Sequence, residues 1–331
     1  MLYVTTRSSC ETYTAGKTLS VDTAPDGGMF VPFHFPHITV SNLQGASQEA
    51  IIAAVLAIFF RNPVSEEAVL ECLGGRPIRK KNMDRKVTVA QLWSNRMPTF
   101  EKVEYALYRK LCQDVTPNSE TTQWAKIAIR IAIITALVAS EGREVDIAVN
   151  AGDFLTPMAA YYCREMGLPI GKILCVTNEN SGLWELFVHG QLNCGAAVQN
   201  TTLPELDIGV PDQLERLIFS LSGLHGAKEF ASCAAQGKSY KFTDMWALSD
   251  CFAVPVVSAQ RVPSVISKTY HTNSYLLDSY TALTFGGLQD YRASTGVISQ
   301  TLLLSEYSPL AHRAQVAAAL SIPEFKLSEL M

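Results

Sequence analysis

The 331-residue chain predicts an α/β fold with a parallel-rich sheet flanked by helices. Three observations carry that prediction. Val145 to Val149 and Ile173 to Thr177 are short apolar runs, each fit for a buried strand. Between them lie a glycine turn, Asn150 to Thr156, and a helical stretch, Pro157 to Met166. Proline stands early in that stretch, where no amide partner is lost. Strand, helix and strand in this order make the two strands parallel, with a right-handed crossover. Asn178 to Ser181 then opens a further helix, Gly182 to His189. A glycine turn feeding a helix N-terminus is also where such folds hold anions.

Apolar content of 48%, charge of 18% and a net charge of −4 describe an ordinary globular chain with room for roughly two domains. No basic stripe speaks for nucleic acid. The longest apolar stretch, Ile127 to Ala139, contains Arg130 and is too short to span a bilayer, so no membrane association is expected. The first residues show no charged-then-apolar leader, and the expected location is cytoplasmic. Eight cysteines are scattered without a CxxC pair, which reads as reduced thiols and not as a disulfide frame or zinc site. The six histidines show no metal-ligand spacing, and no metal is expected. GxSxG, P-loop and GxGxxG motifs are absent from the sequence.

From the N-terminus, Leu2 to Arg7 is strand-like, and Asp26 to Pro32 is a turn running into an edge strand closed by proline. Ser47 caps a helix from Gln48 to Phe60, and Ser65 caps a second through Leu73. Arg76 to Lys86, with six cations, reads as a solvated basic loop able to attract a phosphate. Val87 to Trp93 alternates like a half-buried strand. Phe100 to Cys112 is a helix. Glu120 to Ser140 is another, joined to it through Gln113 to Ser119 with Ser119 as cap. Thr201 to Pro211 reads as extended, with Asp212 capping a helix from Gln213 to Ser222. Residues 226–252 are helical in pieces. Ser264 to Asn273 is a helix, Ser299 to Leu304 a strand, and residues 311–320 the closing helix.

Several of these stretches carry a resemblance. Val149-Asn150-Ala151-Gly152-Asp153-Phe154, Tyr161 to Ile170 and Thr177-Asn178-Glu179-Asn180 resemble the core of threonine synthases. Asp26-Gly27-Gly28-Met29-Phe30-Val31-Pro32, Glu215-Arg216-Leu217 and Tyr275 to Ala282 are similar to further segments of that family, in the same order. The resemblance implies the tryptophan synthase β-like fold (fold type II) of enzymes that use pyridoxal phosphate (PLP). The implied reaction makes threonine from O-phosphohomoserine. The glycine loop would hold the cofactor phosphate, so Gly152, Asp153, Phe154, Leu155 and Thr156 stand at cofactor-binding positions. Ser305 stands where a hydroxyl meets the pyridine nitrogen.

The same resemblance exposes departures. The family loop reads Gly-Asn-Phe-Gly, whereas this chain has Asp153, a carboxylate that also suits capping of the next helix, and Leu155. The Schiff-base lysine position holds Glu101. Lys102, one residue on, is turned about 100° away on a helix. Tyr280 stands at a histidine position, and a Ser/Thr-Gly-Asp-Thr-Gly loop with most of the small PLP domain is missing. The implied organisation is an N-terminal structural segment, 1–86, a remnant of the small PLP domain, 87–118, and a large α/β domain, 119–331. Three readings follow. The chain has lost the threonine-forming reaction and binds a small-molecule ligand, a phosphate or a partner instead, with PLP not held covalently. Alternatively it is an active PLP-dependent lyase built on Lys102 or completed by another subunit, a homodimer or partner protein supplying the rest. Or it is a structural or regulatory interaction protein.

Overall fold

A computed structural model describes residues 1–113, 115–116 and 121–331. The chain opens on a three-stranded antiparallel sheet: β1 (Leu2–Thr5) between β2 (Tyr13–Thr14) and the edge strand β3 (Phe30–Pro32), with helix α1 (Ala15–Ser20) after β2. Helices α2 (Gln48–Phe60) and α3 (Glu66–Cys72) follow. Each begins as the serine spacing dictates: the Ser47 hydroxyl accepts from the Ala50 N–H and Ser65 from Ala68.

The basic stretch is not a loop. Arg79–Asp84 forms strand β4, paired antiparallel with β5 (Val87–Gln91). It is an edge strand with only Met83 buried, and lysines are common on such edges because they discourage further pairing. Helix α4 (Phe100–Leu111) and helix α5 (Gln123–Ala139) come next. The latter starts later than expected, since Thr122 is extended and Asp22 Oδ1 accepts the Gln123 N–H at 2.8 Å. Ser119 and Glu120, expected to open this helix, lie outside the described residues. Fifteen of the 17 residues of α5 are buried, Trp124 fully.

Strand β6 (Val145–Asn150), helix α6 (Leu155–Glu165) and strand β7 (Ile170–Val176) form the parallel unit, with α7 (Gly182–His189) after it. A two-stranded antiparallel sheet unforeseen in the sequence pairs β8 (Gln191–Asn193) with β9 (Ser239–Lys241) across the intervening chain. Pro204–Leu206 is a 3-10 turn, where an extended run was expected. Helix α8 (Leu214–Gln236) has Gln213, not Asp212, at its N-terminal boundary, and bends at Gly223 (φ +66°). Helix α9 (Met245–Cys251) leads to the edge strand β10 (Phe252–Ala253). Helices α10 (Val262–Asn273) and α11 (Ser279–Thr295), strand β11 (Thr301–Ser305) and helix α12 (Arg313–Leu320) follow, with α11 capped by Asp278, and a 3-10 helix, Glu324–Leu330, comes last.

The central sheet has the order β10-β7-β6-β11-β5-β4 and is parallel except at β4. Thus β5 lies inside the same sheet as β6 and β11. Strands buried on both faces need apolar side chains on both, and Thr301–Ser305 is buried throughout. Two cores result. One packs α2, α5 and α6 on one face, and the other packs α10, α11 and α12 on the opposite face. Among the described residues, no helix is long and apolar enough to cross a membrane.

Candidate functional site

A cleft of about 400 Å³ opens where β6 and β11, neighbours in the sheet, run out at their carboxyl ends. Such strand ends are where α/β sheets hold ligands. Past Asn150 the chain turns through Gly152 (φ +45°) and Phe154 (φ +69°) into α6. A left-handed conformation is uncommon for a bulky residue. The Phe154 ring is fully buried, with Phe187 and Phe252 centroids 5.9 and 5.7 Å away, and that packing holds the backbone in place. Asp153 Oδ1 accepts the Leu155 N–H at 3.1 Å. The carboxylate therefore caps α6, using an amide that would otherwise face an anion.

The facing wall comes from α4 and α5. Glu101 and Glu104 stand three residues apart, Lys126 and Arg130 four apart, so each pair shares a helix face. Glu104 and Arg130, 2% and 8% exposed, form an ion pair. The Arg130 guanidinium lies 5.0 Å from the Phe100 ring centroid, and its Nε donates to Thr156 Oγ1 at 2.8 Å. The Thr156 hydroxyl donates to Glu306 Oε1 at 2.5 Å. One chain of contacts thus ties α4, α5, α6 and the segment after β11.

Burial pushes the Glu306 carboxyl above the usual carboxylate range, against the pull of Arg130. Burial also raises Glu205, which accepts from the Tyr307 hydroxyl. The cleft is lined by five carboxylates (Glu101, Glu104, Asp153, Glu205 and Glu306) and two cations, Lys126 and Arg130. That balance disfavours an anion and favours a cationic group.

The residues expected at a site fall into three places. Gly152, Asp153 and Leu155 line the cleft, while Phe154 lies beneath it in the core and Thr156 in the hydrogen-bonded chain. Lys102 is exposed and lines a separate hollow of about 630 Å³ with Met97, Tyr105 and Thr121. Ser305 is 3% exposed and does not line the cleft. It accepts from Trp93 Nε1 at 3.0 Å and donates to Asp278 Oδ2 at 3.2 Å. Glu104, Lys126, Arg130, Glu205 and Glu306 escaped sequence reasoning. The paired spacings on two successive helices were the available signal for four cleft residues, Glu101 and Glu104, Lys126 and Arg130. Among the described residues, no group of three His, Cys, Asp or Glu side chains is placed to hold a metal ion.

Residues 2–74 match the family model for the threonine synthase N-terminus. The chain is 30% identical over 189 residues to threonine synthase of Pseudomonas aeruginosa, covering 54% of this chain and 39% of that protein. It is 24% identical over 318 residues to threonine synthase-like 1 of Mus musculus, covering 89% of this chain and 41% of that protein. The chain spans less than half the length of these curated relatives. In three dimensions it is similar to the PLP-bound threonine synthase of Brucella melitensis, with a TM-score of 0.83 at 19% identity over 100% of this chain and 94% of that one. The yeast threonine synthase matches with a TM-score of 0.83 at 18% identity, again over 100% and 94%.

Proposed function

This chain belongs to the threonine synthase family, and from that premise we propose that it has lost the threonine-forming reaction and uses its cleft to bind a ligand or partner instead. The observation that carries the reading is the charge of the cleft. PLP bears a phosphate dianion and needs an amine for covalent attachment. The residues present do not fit that group. Asp153 takes up the Leu155 amide where a phosphate would sit, and Glu205 and Glu306 add carboxylates to the same space. Arg130 is committed to Glu104 and Thr156. Glu101 stands at the lysine position, and a carboxylate forms no imine. A ligand with a cationic head suits this lining better than a phosphate ester.

A second reading rests on Lys126. It lines both the cleft and the adjoining hollow, so it is the lysine of the cleft lining, whereas Lys102 lines only the hollow. A PLP enzyme rebuilt on this chain would therefore depend on Lys126. Incubation of the purified protein with PLP and O-phosphohomoserine separates the readings. The proposal expects no threonine above a protein-free control. Threonine formed by the wild type and lost in Lys126→Ala would overturn it.

A further inference from the structure

A second hollow, of about 340 Å³, opens at the same end of the sheet but at β5 and β4. Its charge is the reverse of that of the carboxylate-rich cleft. Arg76, Arg79 and Lys81 line it, with no aspartate or glutamate in the lining. None of the three is in an ion pair among the described residues. Arg76 is half-buried, and burial first, then the neighbouring Arg79 charge, lowers its proton affinity. Lys81 lies 5.0 Å from the centroid of the Tyr275 ring, which is held from behind by a 2.8 Å bond from Gln91 Nε2 to its hydroxyl. Part of the remaining wall is apolar, with Trp93, Leu276, Leu310 and Leu330, and part is polar, with Gln91, Asn95, Ser274 and Ser328; Met331, the last residue, lines it too. The Trp93 indole is fixed by Ser305, and Trp93 lines this hollow but not the carboxylate-rich cleft.

We infer that this hollow is a binding site for a small phosphate monoester. Two arginines and a lysine match the charge and the multiple acceptor oxygens of a phosphate dianion. The apolar wall receives the body of the ligand, and the volume suits a small molecule. The site stands independently of what the carboxylate-rich cleft does.

Calorimetric titration at low salt, with phenyl phosphate as the probe, tests the inference. Wild-type protein is expected to bind phenyl phosphate more tightly than inorganic phosphate. Arg76→Gln/Arg79→Gln is expected to lose at least about tenfold in affinity, and Lys81→Gln a smaller amount. Lys110→Gln, the same charge change on α4 away from the hollow, is expected to bind as the wild type does. Thermal melts without ligand establish that each variant is folded. No binding by wild type, equal binding by the double variant, or equal loss in Lys110→Gln would each overturn the site. Equal affinity for the two probes would overturn the role of the apolar wall.

Discussion

Glu104 on α4 and Arg130 on α5 are paired in the wall of the cleft with 2% and 8% of their surfaces exposed. A buried pair of this kind adds little net stability, but losing one member strands the other in a poor solvent. Arg130 also supports Glu306 through Thr156, so its removal leaves two carboxylates without a cation.

Arg130→Met is therefore expected to cost about 3–5 kcal/mol in urea unfolding. Adding Glu104→Leu to the same chain is expected to recover more than half of that loss. A double variant no more stable than Arg130→Met alone would show that the pair is not what holds α4 to α5.

Glu306 supplies a pH dependence of known sign. Its folded-state carboxyl is raised above the ordinary 4.5 by burial, so the folded state binds the proton more tightly than the unfolded chain. Its contribution to stability is whole below about pH 4.5 and is lost as pH rises through the raised value. Glu306→Gln removes that loss and keeps an acceptor for Thr156. The variant is expected to melt higher than wild type at pH 7 and at the same temperature at pH 4. A variant that melts lower at pH 7 would contradict this sign.

Phe154 joins strain and packing at one position, with φ +69° and a fully buried ring. Phe154→Ala is expected to cost about 3–5 kcal/mol for the emptied core. Phe154→Gly, which elsewhere would be worse, is expected to be no less stable than the alanine variant, because glycine accepts this backbone freely. Denaturant melts of the two variants decide the point.

Much of this architecture is legible in the residues. Ser47 and Ser65 cap where a serine before an acidic first turn should, and the β6-α6-β7 unit follows from two apolar runs around Gly152. The failures have physical causes. β4 hid behind its lysines, because an exposed edge strand looks polar on both faces. α11 gave no periodic signal, since Ser279 to Leu288 is buried on every side. Its Gly287 sits against the Val176 side chain, where any Cβ would come within 2.6 Å. The cleft was half legible: the glycine turn shows in sequence, but Glu205 and Glu306 reach it only through tertiary folding.

Asp153 offers a direct probe of the cleft's charge. Asp153→Asn keeps a cap for the Leu155 amide and deletes one carboxylate. Non-covalent PLP affinity, measured by calorimetry, is expected to rise in the variant. Unchanged affinity would mean that PLP does not meet the glycine turn.

The central claim is that this cleft no longer supports the family's covalent chemistry, and the PLP spectrum of the purified protein tests it most directly. Protein incubated with PLP is predicted to show no internal-aldimine band, and borohydride followed by mass spectrometry is predicted to find only scattered adducts on exposed lysines. A stoichiometric adduct at Lys126 or Lys102, lost when that lysine is replaced by alanine, would contradict the account.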